Sequence, residues 1–185
     1  MAGETKARMV DGAVRLLATQ GTQGTSFADV LELTGAPRGS IYHHFPDGKD
    51  QLLAAAVDLA GARALGAVDG WVGRSPEEVT ASFLGLWHAV LERSGLRAGC
   101  AVLAVTVSTG SPELLEHTAA VFRAWRTSLA ALFSAGGLPD DDAAGFAATL
   151  VAASEGAVVV SRAEQSMEPF ELVAGQLLGL VRRLA

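Results

Sequence analysis

The sequence is poor in several things, and each shortage narrows the reading. Its 185 residues include one cysteine, Cys100, so no disulfide can form within the chain, and a cysteine-rich zinc site is excluded as well. Lysine is nearly missing: only Lys6 and Lys49 stand beside twelve arginines. Positive charge is in deficit, with 14 basic residues against 20 acidic ones and a formal net charge of −6. That balance argues against a protein coated in basic charge for non-specific nucleic-acid binding, but it allows a small basic surface on an acidic body. No apolar run approaches the roughly 18 residues of a membrane helix; Cys100–Val105, for instance, stops at Thr106. Glu4, Lys6, Arg8 and Asp11 leave no apolar signal-peptide core near the N-terminus, so a reducing cytoplasm with no membrane association is the expected address. There is no phosphate-loop pattern, nucleotide-type glycine fingerprint, nucleophile elbow or HExxH, so neither catalytic residues nor a cofactor is expected.

What is abundant is apolar surface, at 50% of residues, arranged with helical periodicity. Val10, Ala13, Val14 and Leu17 form one stripe, and Gly21 stops that helix. Ser26, with Asp29 three residues on, opens a second helix through Phe27, Val30, Leu31 and Thr34, which Gly35 ends. Pro37 suits the first position of a short third helix carrying Ile41 and Phe45, with Pro46 as its stop. Asp47 and Asp50 can cap a fourth helix through Leu53, Val57, Ala60 and Ala64. The same grammar continues. Ser75-Pro76-Glu77-Glu78 is a capping box ahead of Phe83, Leu84, Trp87 and Leu91, closed by Gly95. Gly99 to about Thr109 forms a short buried helix, and Ser111-Pro112, Pro139-Asp140 and Ser166–Pro169 introduce three more. Ala157–Val160 has strand propensity but nothing to pair with. The expectation is an all-α protein of about nine helices. Its seam lies near Phe45–Asp50, dividing it into residues 1–48 and 49–185.

Residues 26–45 read as helix, tight turn, short helix, the arrangement that delivers a recognition helix to the DNA major groove. At 100° per residue, Ile41 and Phe45 point one way with Pro37, while Arg38, Gly39, Ser40, Tyr42 and His43 fill the opposite arc. That arc lacks aliphatic side chains and offers a guanidinium, a hydroxyl, a phenol and an imidazole, all able to bond phosphates or base edges. Gly39 lets the helix sit close to the nucleic acid.

The run Thr25-Ser26-Phe27, Gly35-Ala36-Pro37-Arg38-Gly39-Ser40-Ile41-Tyr42-His43-His44-Phe45-Pro46, then Lys49 and Gln51-Leu52, resembles the DNA-binding signature of the tetracycline-repressor family of bacterial transcription regulators. The nine-helix order extends the resemblance along the chain. Gly99–Val102, Ser154–Ala157 and Arg162–Pro169 resemble the lincomycin-repressor-like branch. The resemblance implies a homodimeric, ligand-responsive regulator, most simply a repressor, with an N-terminal helix-turn-helix unit and a C-terminal helical ligand-binding and dimerisation domain. Its partners would be double-stranded, pseudo-palindromic operator DNA and a small, largely apolar effector. It implies that Thr25 and Ser26 bond phosphates, that Arg38 and Tyr42 reach bases or nearby phosphates, that Ser40 and His43 grip the backbone, and that Lys49 takes a phosphate. Phe27, Leu31, Ile41 and Phe45 would be core. An activator, or a helical small-molecule-binding protein or enzyme with no DNA role, are the alternatives.

Residues 1–50 carry five basic and six acidic residues, so the DNA-binding unit is itself net −1. With Asp47 and Asp50 used as caps, few ionic contacts per subunit and a shallow salt dependence are expected.

In the body, Ala144, Ala148, Ala152 and Gly156 recur every four residues, a spacing that lets a partner helix or an internal neighbour approach closely. With Phe170, Val173, Leu177 and Val181 on the ninth helix, Ala148, Ala152 and Gly156 form the expected dimer surface. Phe83, Trp87, Phe122, Trp125 and Phe146 are, taken singly, ordinary core aromatics. As a set they could line a cavity with Leu103 and Leu150 and the polar groups His88, Thr106 and Ser154, or Glu155. No metal is expected: His43, His44 and Asp47 lack a defined further ligand. Cys100 reads as a small buried hydrophobe.

Overall fold

The computed structural model describes residues 2–185, which form nine helices and no strand among the described residues. They are α1 (Ala2–Gln20), α2 (Phe27–Thr34), α3 (Arg38–His44), α4 (Lys49–Asp69), α5 (Pro76–Ser94), α6 (Ala101–Thr106), α7 (Pro112–Ala135), α8 (Asp140–Glu164) and α9 (Glu168–Leu184). The all-α expectation therefore holds, and Ala157–Val160 is part of a helix.

Local chemistry explains most of the boundaries. Ser26 accepts from the Asp29 N–H while the Asp29 carboxylate accepts from the Ser26 N–H, and Ser75 and Glu78 form the same reciprocal box. Gly35 and Gly95 close their helices in the left-handed conformation, at φ 65° and 58°. Two expectations are corrected. Pro37, at φ −62° and ψ 135°, is the residue before the first helical position, and its carbonyl accepts the Ser40 N–H at 2.9 Å. At the start of α4 the bond formed runs from the Asp47 N–H to Gln51 Oε1 at 3.2 Å, so Gln51 rather than an aspartate ties that turn.

By compactness the chain divides into two units, and the cut differs from the one at 48/49. One unit runs through Arg63 and adds Cys100–Val121; the other comprises Ala64–Gly99 and Phe122–Ala185. In the first, α1 packs against α2, α3 and α6 around Met9, Ala13, Leu17, Val30, Ile41, Phe45, Leu52 and Val57. Each of these side chains except Ala13 contributes about 1.5–3 kcal/mol on burial. Exposed pairs tie further helices of this unit together: Arg63 of α4 to Asp11 of α1 at 2.7 Å, and His117 of α7 to Asp58 of α4 at 3.0 Å. Cys100 is buried as expected, and its Sγ also accepts the Leu103 N–H at the start of α6.

In the second unit α8 packs on α9 and α5, and α5 on α9. Phe83, Leu91, Trp125, Leu129, Phe133, Phe146, Leu150, Val158, Phe170 and Val181 fill its core. Ser161 Oγ accepts the Phe170 N–H at 3.0 Å, tying the start of α9 to α8. No unbroken apolar run of membrane length occurs in the sequence, but a looser test of length and composition singles out two helices. α4 and α8 are long and apolar enough to cross a membrane by length and composition alone. Half of the apolar stretch of α8 is buried within the fold, as befits a core helix.

Candidate nucleic-acid interface

α3 has seven residues, too few to persist as an isolated helix, so its geometry comes from its surroundings. Ile41 and Phe45 anchor it with 0% and 1% exposure, and the Phe45 N–H closes its last turn on the Ile41 carbonyl at 2.8 Å. Ala36 is buried in the turn between α2 and α3. The opposite arc faces outward: Arg38, Gly39, Tyr42 and His43 are exposed, and Ser40 and His44 are half-buried. Tyr42 is 67% exposed. A Cβ on Gly39 would meet nothing within 4 Å, so nothing inside the chain demands glycine there. The openness suits close approach by a partner from outside.

Phe27 is half-buried rather than core, which corrects the sequence reading, and Leu31 is likewise half-buried. The Phe27 ring meets that of Tyr42 edge to face, with centroids 5.5 Å apart and planes at 82°. Between α2 and α3 lies an open hollow of about 570 Å³ lined by Phe27, Ala28, Leu31, Glu32, Ala36, Arg38 and Tyr42.

The remaining predicted contacts separate clearly. Thr25 is corrected: it is fully buried and its hydroxyl donates to the Gly21 carbonyl at 2.8 Å, so its side chain has no path to a phosphate. Ser26 accepts from Asp29 and keeps a hydroxyl proton able to donate outward. Ser40 donates its hydroxyl proton to the Pro37 carbonyl at 2.6 Å and has acceptor capacity left. Lys49 Nζ donates to the Thr22 carbonyl at 2.6 Å, which draws the α1–α2 loop to the start of α4 and leaves two further N–H groups. The Ser26 hydroxyl and N–H, together with the nearby Lys49 charge, hold the Asp29 carboxyl below its ordinary value. Lys6 sits over the Phe45 ring, 5.7 Å from its centroid, placing a cation beside α3 that the sequence pattern did not single out.

The body residues are distributed as follows. On α8, Ala148 is half-buried, and Ala152 and Gly156 are exposed. On α9, Val173 is half-buried, but Phe170 and Val181 are packed inside their own unit at 2% and 0% exposure and are corrected to core. Leu177, 3% exposed, floors a shallow groove of about 390 Å³ between the two helices. Thr149, Ala153, Leu172, Val173, Gln176, Leu180 and Arg183 also line it. Leu172, 65% exposed, and the half-exposed Val159 and Val160 are outward apolar residues that the sequence reading missed.

Among the cavity candidates, Phe83, Trp87, Trp125, Phe146, Leu150 and Ser154 are buried in the second unit, and Phe122 stacks edge-on to Trp125 at 5.5 Å. The Ser154 hydroxyl donates to the Leu150 carbonyl at 2.7 Å. Glu155 is also buried. His88 lies 4.0 Å from Glu92 and faces the Phe170 ring. Leu103 and Thr106 are half-buried on α6 in the first unit, and the Thr106 hydroxyl donates to the Val102 carbonyl. No group of three or more His, Cys, Asp or Glu able to hold a metal occurs among the described residues.

Comparison with known proteins adds the following. Residues 9–56 match the family described as bacterial regulatory proteins, tetR family. Residues 76–176 match the C-terminal domain of LmrA/YxaF-like transcriptional regulators. A helix-turn-helix (HTH)-type transcriptional regulator of Mycobacterium tuberculosis is 34% identical over 183 residues, covering 95% of this chain and 93% of that protein. The HTH-type regulator YxaF of Bacillus subtilis is 26% identical over 185 residues, covering 98% and 97%. The crystal structure of a TetR transcriptional regulator from Chloroflexus aurantiacus superposes with a TM-score of 0.83 at 29% identity, covering 100% of this chain and 98% of that one.

Proposed function

The chain belongs to the tetR family of bacterial regulatory proteins, with an LmrA/YxaF-like C-terminal domain, and from that premise we propose that it is a cytoplasmic, homodimeric repressor released from its operator by a small, largely apolar effector. DNA binding and transcriptional regulation come with the family, whose members are regulators and not enzymes. The observation that carries the reading of how DNA is met is the outward arc of α3. Arg38, Tyr42 and His43 stand exposed around an unobstructed Gly39, on a helix held from behind by Ile41 and Phe45. Arg38 and Tyr42 are assigned to base edges or adjacent phosphates, and Ser26, His43 and Lys49 to the DNA backbone, which Ser40 joins when its hydroxyl proton turns from the Pro37 carbonyl to a phosphate.

A dimer supplies two such arcs for half-sites about one helical turn, roughly 34–36 Å, apart, which makes the operator pseudo-palindromic. The groove between α8 and α9, with Leu172, Val159 and Val160 exposed on the same two helices, supports that pair as the dimer surface, together with Ala148, Ala152, Gly156 and Val173. The apolar, aromatic-rich interior of α5, α7 and α8 supports an effector of largely apolar character. Such a compound releases the operator only if it binds the non-operator form of the dimer more tightly.

A mobility shift on the DNA flanking the protein's own gene, repeated with a panel of hydrophobic compounds, tests this. A shift abolished by one of the compounds is expected. A fragment that shifts identically with every compound would overturn the release step, and flanking fragments that never shift would overturn autoregulation.

A further inference from the structure

We propose that Phe27 is a positioning residue for DNA recognition: its ring edge sets the rotamer of Tyr42, and sequence discrimination depends on that contact. The inference rests on the reading of α3 as the recognition helix. Tyr42 is 67% exposed on a seven-residue helix, so within its own helix nothing restricts its two side-chain torsions to one state. The structure supplies the restriction from α2. Phe27 stands perpendicular to Tyr42 with centroids 5.5 Å apart, inside the preferred range for an edge-to-face pair.

Phe27 is itself well placed. It is the first residue of α2, inside the Ser26–Asp29 capping box, which fixes the backbone on which the ring is mounted. The two rings and Arg38 border the same hollow, so the orientation of the phenol and the space available to the guanidinium are set together. A phenol held in one rotamer loses less freedom on meeting a base than a freely rotating one, and that advantage falls on the matched sequence. Phe27 reaches no base in this scheme; it acts through Tyr42.

The test uses the full-length protein and a duplex selected by the wild type from a random library. The readout is the ratio of Kd on a scrambled duplex to Kd on the selected one, by fluorescence anisotropy at fixed salt. F27L is expected to lower this ratio about three- to tenfold, the range of an aromatic pair, with under about a twofold change on the scrambled duplex. F27Y, which keeps the ring, retains the ratio. In a Tyr42→Ala background F27L adds less than about twofold. Thermal melts by circular dichroism run alongside, and Phe27→Met replaces F27L if the latter melts below the assay temperature. An unchanged ratio in F27L, or an equal loss with and without Tyr42, overturns the positioning role. If Tyr42→Ala alone leaves the ratio intact, the assignment of Tyr42 falls first, and the role of Phe27 falls with it.

Discussion

Gly12 lies where α1 crosses α2, and replacing it with alanine sets two effects of opposite sign against each other. A Cβ there would stand 2.6 Å from Thr34 Cγ2 and 3.7 Å from Leu33 Cδ2, whereas carbon atoms pack comfortably at about 3.5–4.0 Å. Thr34 cannot simply turn its methyl away, because its hydroxyl donates to the Val30 carbonyl at 2.7 Å and holds the rotamer. Relieving the overlap needs a helix shift or the loss of that bond, at about 1–3 kcal/mol. Against this, alanine gains about 0.5–1 kcal/mol over glycine inside a helix. Gly12→Ala should therefore destabilise, by up to about 2.5 kcal/mol. Thr34→Ser deletes only the offending methyl and keeps the hydroxyl. In that background the overlap disappears and the alanine should stabilise by about 0.5–1 kcal/mol. The assay is urea denaturation followed by circular dichroism, at one protein concentration because the protein is read as a dimer. The decisive quantity is the coupling in the cycle, expected to be at least about 1 kcal/mol. Additive effects, or a single Gly12→Ala that stabilises, would refute the α1–α2 packing described here.

Four further outcomes are expected. Ser26→Ala removes the α2 cap and should cost about 1 kcal/mol near neutral pH. Because the folded Asp29 carboxyl is held below its ordinary 3.8, its contribution is present above that pH and is lost as the pH falls through the lower folded value. The gap between Ser26→Ala and wild type should accordingly narrow in acid melts, and a gap that widens would contradict the box. Leu172→Arg, on the exposed edge of the α8–α9 groove, should remove two buried leucines per symmetric dimer, about 3–6 kcal/mol, and give monomers in sedimentation equilibrium. Phe170→Ala should instead cost about 3–5 kcal/mol of folding stability, as expected for a side chain that is 2% exposed. With few cations on the reading face, the logarithm of operator affinity should fall with the logarithm of salt at a slope no steeper than about −6, and a slope near −10 would require contacts not identified on this face.

What the sequence made legible was local. The boxes at Ser26–Asp29 and Ser75–Glu78 and the stops at Gly35 and Gly95 depend on residues three or four apart, and they stand as read. Pro37 was off by one place because both the position before a helix and its first residue tolerate a missing N–H, so composition cannot separate them. What the sequence hid at the site comes from partners distant in sequence or from the way a helix is turned. The fate of Lys49 depends on the Thr22 carbonyl, 27 residues away, and that of Phe27 on the ring of Tyr42 in another helix. Thr25 reads as an exposed hydroxyl until the turn at Gly21 folds over it. On α9 the apolar residues extend beyond one face. Sequence alone could not say that Phe170 and Val181 turn inward while Leu172 remains outside.

Recognition as proposed has two copies of the chain reading an inverted repeat through Arg38 and Tyr42. Selection from a random duplex library by the full-length protein, with the same selection run on the Arg38→Ala variant, addresses it most directly. The wild type should enrich a pseudo-palindrome with half-sites about one helical turn apart, and Arg38→Ala should lose the preference at one position in each half-site. Enrichment of a single asymmetric site, or the same consensus from wild type and variant, would contradict it.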